Sequence, residues 1–419
     1  MPDSPIETQL APLGLRRDGV TVALYSNFVV WGWLLYSFSP SVPLLAAEQG
    51  INKAQAGLHG TAMAVGTLLS AVVSAWLVER LGRRGTLLLA VGVLAAGVVG
   101  LVSGGSLTTT LPGALVTAIG GTLVLSAGTT ALSVHHGEAA AAAVTEANGV
   151  GALFGMFAPL TVGASVAVGW GWRPAVAITV ALAAVAAVLV GRQPGRGALG
   201  TSRGPVAMAA TDAAPSADLR QGFSRTFSFF WIGLVAVVAI ENATIFWAAD
   251  LLISRTGAGP GIATGALTGL VAGMCAARFV VGPIALRRAP EKLLILAFAL
   301  AGVGWFILWS ATTTPVALVG LVIAGFGYGA HYPLSISLVL RASQGQPDRA
   351  QARATLGAGG AIAIAPFLLG ALADRFGTHG AFLLLPVLIA IGAGAVALGL
   401  HSVHHPRPGP RSPSRESPP

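Results

Sequence analysis

Twelve times along this chain an almost uncharged run of roughly 18 to 26 residues recurs, the length a helix needs to cross a hydrocarbon layer about 30 Å thick. Inside such a layer no water satisfies backbone N–H and C=O groups, so each crossing must close its hydrogen bonds internally, as an α-helix does. The runs predict helices over 21–46, 57–78, 86–103, 112–134, 147–168, 174–191, 227–249, 261–284, 292–310, 315–340, 354–372 and 380–402. The fold class that follows is all-α, a polytopic membrane protein with twelve transmembrane helices.

Composition agrees. The 419 residues are 54% hydrophobic and carry only 24 Lys+Arg and 15 Asp+Glu, too few to clothe a water-soluble protein of this size, in which about a quarter of positions are charged. Asp3, Glu7, Arg16, Arg17 and Asp18 precede the first apolar run, so a cleavable signal is not expected and the first helix should direct insertion. The single Cys275 lies within a span and allows no intrachain disulfide.

Basic residues set the orientation. With the N-terminus inside, the inner segments hold Arg16, Arg17, Arg80, Arg83, Arg84, Arg192, Arg196, Arg203, Arg220, Arg225, Arg287, Arg288, Lys292, Arg341, Arg349, Arg353, Arg407, Arg411 and Arg415, whereas the outer loops hold only Lys53, Arg173, Arg255 and Arg375. Lys and Arg are retained on the cytoplasmic side, so both termini are expected there. A pI near 10.9 also raises nucleic-acid binding, but the charges are dispersed over loops rather than gathered on one face. Two lysines among 24 basic residues, with abundant Ala and Gly, suggest a high-GC bacterium and hence its plasma membrane.

The chain divides in two. Residues 192–226 are rich in Gly, Pro, Ser, Ala and Arg and lack helical periodicity, the composition of a cytoplasmic linker. The expected organisation is a cytoplasmic segment 1–20, a six-helix bundle 21–191, the linker 192–226, a second bundle 227–402 and a disordered tail 403–419. Across the linker, Ala158-Pro159-Leu160-Thr161-Val162-Gly163-Ala164 in the fifth span echoes Ala365-Pro366-Phe367-Leu368-Leu369-Gly370-Ala371 in the eleventh. Parallel halves of this kind place a substrate site at their interface.

Between the second and third spans, Ala75-Trp76-Leu77-Val78-Glu79-Arg80-Leu81-Gly82-Arg83-Arg84 resembles the signature loop of the major facilitator superfamily, Gly-x-x-x-Asp-Arg-x-Gly-Arg-Arg/Lys, with Ala75 for the first glycine and Glu79 for the aspartate. The resemblance implies a secondary transporter of two pseudo-symmetric bundles that works by alternating access. In physical terms, Gly82 allows a tight reversal, and Glu79 can pair with Arg83 or meet a helix N-terminus, whose dipole favours a negative group. Glu79, Arg80, Gly82, Arg83 and Arg84 would then form a conformational clasp; the alternative is that the arginines only enforce topology. Gly151-Ala152-Leu153-Phe154-Gly155-Met156-Phe157-Ala158-Pro159 is similar to a relaxed antiporter pattern, with Ala158 in place of its glycine. The fourth span also lacks the arginine typical of proton-linked drug exporters. Small residues at four-residue spacing, Gly92, Ala96 and Gly100 and then Gly265, Gly269 and Gly273, are expected to pack helices closely.

In that family the first, fourth, seventh and tenth helices line the central cavity. Glu241 interrupts the apolar run 227–249 at a cost of about 2.5 to 3.5 kcal/mol, which calls for a partner or a task. An apolar setting penalises its charged form and makes proton exchange feasible, so Glu241 is the coupling candidate; the alternative is a structural carboxylate. Tyr328, His331, Tyr332 and Ser335 share one helical face, as do Thr122, Ser126, Thr129 and Ser133, and Asn27 and Asn242 add polar groups. His331 reads equally as a proton relay, a substrate ligand or a packing residue. Arg278 in the eighth span resembles an arginine of monocarboxylate and oxalate-type carriers and is a candidate counter-ion for a carboxylate, with Met274 where an acidic residue often precedes it. Snorkelling to the cytoplasm is the alternative.

The expected function is secondary transport of a small organic solute, possibly an organic anion, coupled to protons or another ion. No enzyme activity, cofactor, metal or nucleic-acid partner is expected, no phosphate-binding loop ending in Lys-Ser or Lys-Thr occurs, and the chain is expected to act as a monomer. The runner-up is export of amphipathic drugs, suggested by Trp31, Trp33 and Trp247. A transporter-like sensor that binds without moving its ligand is the reading from another class.

Overall fold

A computed structural model of the chain describes residues 17–200, 223–285, 288–344 and 347–404. Among these residues there is no strand. Among the described residues eleven helices are long and apolar enough to cross a bilayer, and one of them, Lys53–Ser103, is two spans joined without a loop. At about 1.5 Å per residue its 51 residues would reach roughly 76 Å, far beyond any bilayer. The break falls at Gly82, whose φ of 70° and ψ of 168° reverse the chain, as its place in the sequence predicts.

The twelve spans are α1 (Gly19–Phe38, continued by the short helix Val42–Gln49), α2 (53–81), α3 (83–103), α4 (Leu107–His136), α5 (Ala140–Gly155 and Phe157–Ala167), α6 (Arg173–Gly191), α7 (Arg225–Thr256), α8 (Pro260–Ala285), α9 (Pro290–Ser310), α10 (Thr314–Arg341), α11 (Pro347–Ala381) and α12 (Leu384–His404). Local chemistry sets many of their ends. Asp18 caps α1 by accepting from Thr21 N at 2.9 Å, Asn52 and Gln55 cap α2 reciprocally, and Ser224 caps α7 through Phe227 N at 3.1 Å. Gly257 stops α7 in the left-handed conformation. The expected tail 403–419 is described only at its first two residues, still within α12; 1–16, most of the linker and Arg287 lie outside the described residues.

Helices pack at glycines. A Cβ on Gly325 of α10 would fall on the Leu270 carbonyl of α8, and one on Gly273 of α8 on the Val322 carbonyl, so the two backbones touch. Gly97 brings α3 against Thr117 of α4 in the same way, whereas Gly92 faces open space and a Cβ on Gly100 would meet nothing nearer than 3.9 Å. The closest glycine of α3 is therefore Gly97; of the expected stripe Gly100 shares the contact, since a Cβ on Gly113 of α4 would lie 3.1 Å from its carbonyl carbon, and Gly92 does not.

Helices α1–α6 pack mainly among themselves, as do α7–α12, and the halves meet along α2 with α11 and α5 with α8. The closest approaches lie at the end of the bundle opposite the termini. There a Cβ on Gly57 would meet Phe367, one on Gly163 the Gly261 carbonyl, and Thr61 Oγ1 donates to the Ala363 carbonyl at 2.6 Å. Toward the other end the same pairing helices leave Val72, Phe279 and Leu356 exposed at 81%, 77% and 61%. The tight contacts between the halves therefore gather at the end opposite the termini.

Candidate functional site

Three charged or hydroxylated side chains, from α1, α7 and α8, lie within electrostatic reach of one another. Glu241 on α7 is half-buried, and Arg278 on α8 is solvent-accessible although it lies within a span. Arg278 stands within electrostatic reach of Glu241, of Cys275 one turn earlier and of Tyr36, which α1 contributes from the other half. Arg278 lies three residues before Val281, the last residue of its span, and its charge there calls for a polar surrounding. The site thus brings opposite charges from α7 and α8 together with a phenol from α1.

Tyr328 of α10 lies within electrostatic reach of Glu241. Its hydroxyl meets Thr244 Oγ1 on α7 at 3.0 Å, and the side chain is buried. His331 packs between Phe298 of α9 at 4.7 Å and Tyr328 at 5.6 Å, fully buried. Neither of its ring nitrogens finds a partner of good geometry. Tyr332, one turn beyond Tyr328, is exposed. Of the predicted face of α10, Tyr328, His331 and Ser335 are thus buried and Tyr332 is exposed.

The remaining polar residues serve other surfaces. Thr122 donates to Thr67 at 3.1 Å, and Ser126 meets Ser74 at 3.2 Å, so both tie α4 to α2. Asn242 donates back to the Val238 carbonyl at 2.9 Å and is half-buried beside Glu241. Asn27 is fully buried; its amide donates to the Ala23 carbonyl at 2.7 Å and its oxygen has no partner. It lies nine residues from Tyr36, about 13 Å along α1, and does not join the central group.

The loop between α2 and α3 grips the linker. Arg83 N donates to the Gly200 carbonyl at 3.1 Å and its guanidinium to the Ala198 carbonyl at 3.3 Å, while Arg84 donates to the carbonyls of Val190 and Gly191 at the end of α6. Arg80 stacks on Trp76 at 5.3 Å. Glu79 is exposed, and among the described residues it forms no ion pair; the pairing with Arg83 is not made in this state.

The tryptophans that suggested a drug site are otherwise engaged. Trp33 donates to the Ala175 carbonyl at 2.9 Å, Trp247 donates to the Pro366 carbonyl at 2.8 Å, and Trp31 packs on Gly121. Tyr36 is the site residue that sequence reading overlooked, since nothing in an apolar run tells which way one tyrosine points.

No curated protein matches the sequence. Solved structures do match in fold. An inward-facing, occupied bacterial homolog of the human lysosomal transporter Spinster shares 14% identity over 93% of this chain and 98% of its own, with a TM-score of 0.71. The inward-open xylose transporter XylE from E. coli shares 14% over 90% and 94%, with a TM-score of 0.70. A point mutant of the nucleoside transporter NupG shares 11% over 91% and 98%, also at 0.70. The sequence itself matches the profile described as Major Facilitator Superfamily over residues 24–346 and again over 230–418. With a profile that spans both halves and a fold shared over nine-tenths of the chain, this multi-pass membrane protein belongs to the Major Facilitator Superfamily of transporters.

Proposed function

We propose that the chain is a proton-coupled secondary transporter of a small, negatively charged organic solute, working as a monomer by alternating access between its halves. The observation that carries this reading is the placement of Glu241 and Arg278 on adjacent helices, within electrostatic reach of each other and of Tyr36 on the opposite half. The coupling logic follows from charge. With Glu241 ionised, Arg278 has its counter-charge and an arriving anion is repelled. With Glu241 protonated, the guanidinium is free to take a carboxylate or similar group in a charge-assisted hydrogen bond. Proton and anion therefore bind with positive coupling, each raising affinity for the other by the same factor. Tyr36 lets the half that carries no charge here sense occupancy.

The basic residues in the loops support cytoplasmic termini, which makes the sealed end the outer one and the state inward-facing. The inward-facing and inward-open neighbours are consistent with that state. The α2–α3 loop, with Glu79 exposed and Arg83 and Arg84 on the linker, is the part that re-pairs when the halves rock.

Uptake of a panel of organic anions and neutral solutes into proteoliposomes, with and without a pH gradient, tests the reading. Glu241→Gln is expected to abolish gradient-driven accumulation while sparing exchange of substrate for substrate. Arg278→Gln is expected to raise the half-saturation concentration for an anion about tenfold or more, the loss of one charged hydrogen bond in a confined site. Unchanged accumulation by Glu241→Gln removes it as the coupling group. Ligand binding without flux under any gradient makes the protein a sensor instead.

A further inference from the structure

The end of the bundle opposite the termini is held by a set of polar bonds between the halves. Lys53, the first residue of α2, places its ammonium 2.6 Å from Asp250 Oδ2 on α7 and 2.6 Å from Thr378 Oγ1 beyond α11's glycine break, and Thr378 also donates to Asp250. Asp374 of α11 accepts from the backbone amides of Lys53 and Ala54 at 2.9 and 2.8 Å. The carboxylate of one half thus caps the N-terminus of a helix in the other, where unpaired N–H groups and the helix dipole favour negative charge. Beside it, a Cβ on Gly370 would fall on the Lys53 carbonyl, so the backbones already touch.

The segment that supplies this cap is a second copy of the α2–α3 loop. Gly370-Ala371-Leu372-Ala373-Asp374-Arg375-Phe376-Gly377 matches Ala75-Trp76-Leu77-Val78-Glu79-Arg80-Leu81-Gly82 in its small residue, acid, arginine and glycine. The two glycines adopt nearly the same reversed backbone, φ 73° and ψ 158° at Gly377 against φ 70° and ψ 168° at Gly82. The copies lie at opposite ends of the bundle, and in this state only the α11 copy engages the other half while Glu79 stays exposed.

We propose that Lys53, Asp250, Asp374 and Thr378 form the latch of the gate opposite the termini, positioning residues for transport whose bonds must break before that side opens. The latch rests on alternating access but on no particular substrate or coupling ion. Lys53 is its centre, since its amide, carbonyl and ammonium all face the opposite half. Losing either the ammonium or the Asp374 cap shifts the population toward the state open at this end.

Cys275, the only cysteine, sits near Arg278 at the central site and reports which end is open without any substrate. A membrane-impermeant methanethiosulfonate is applied to the reconstituted full chain from one face at a time. Lys53→Met and Asp374→Ala are expected to speed Cys275 modification from the face opposite the termini by about tenfold, while leaving it unchanged or slower from the terminal face. Lys53→Arg, which keeps the cation, is expected to label at the parent rate. Parent-like rates in both Lys53→Met and Asp374→Ala overturn the latch. So does acceleration from both faces alike, the mark of a loosened fold.

Discussion

Arg278 and Glu241 are individually conspicuous because each is a charge inside an apolar run, where an unpaired group is costly, and they lie within electrostatic reach without forming an ion pair among the described residues. Outside the spans, Asp18 shows the same economy on a smaller scale. Burial opposes its ionisation, but the backbone and hydroxyl of Thr21 and the ring of His135, 2.8 Å away, outweigh that and hold its carboxyl at about 2. A carboxyl depressed below its ordinary 3.8 adds stability that is complete above pH 4 and is lost as pH falls from there toward 2. Its side chain is 47% exposed, so solvent screening reduces the charge contribution, and the cap itself is worth about 1 kcal/mol. Thermal unfolding in detergent should therefore find Asp18→Ala less stable than the parent at pH 7, with the gap closing near pH 2; a gap of equal size at both pH values would contradict the charge-dependent cap. At this scale the sequence exposes which residues are costly but not which ones meet. Glu241 and Arg278 could be named from the run of apolar neighbours, yet their proximity depends on how α7 and α8 are rotated, and so does the inward turn of His331 toward Phe298.

Helices were the most legible level, because a crossing must be long, apolar and internally hydrogen-bonded, and those demands leave a plain trace in the sequence. What the trace omits is how crossings end and touch. No polar loop separates α2 from α3, and only the backbone at Gly82 divides them. Small residues at four-residue spacing marked α8 correctly at Gly269 and Gly273 but in α3 reached the contact only at Gly100 and missed Gly97, since an Ala- and Gly-rich helix offers several such stripes and only its neighbour selects one. The distinction can be measured. Gly325→Val drives a side chain into the Leu270 carbonyl and should cost about 1 to 3 kcal/mol as overpacking, seen as a lower melting temperature. Gly92→Ala meets nothing within 4 Å and should leave the melting temperature unchanged or raise it, because alanine restricts the unfolded backbone. Equal destabilisation by the two would mean that the α8–α10 approach is not close packing.

For the molecule as a whole, two tight seams join the halves at the end opposite the termini, and the seams decide how firmly that end is held. The α5–α8 seam is glycine against glycine, Gly163 on Gly261 and Gly265, with no polar bond among those residues to hold it. Its strength is therefore steric fit alone, and a side chain inserted there acts as a wedge rather than as a broken bond. Gly163→Leu should force α5 from α8 at the end opposite the termini and, because each half moves as a packed body, close the terminal end in the same motion. In a Cys275→Ser background, spin labels at Gly105 and Thr312, on loops of opposite halves at the sealed end, should move apart on adding Gly163→Leu. Labels at Arg192 and Arg288, at the terminal end, should draw together. If the first pair separates while the second keeps its distance, the halves bend rather than rock. If neither distance changes, the α5–α8 contact is a surface the cycle does not use, and the polar bonds of Lys53 alone hold that end shut.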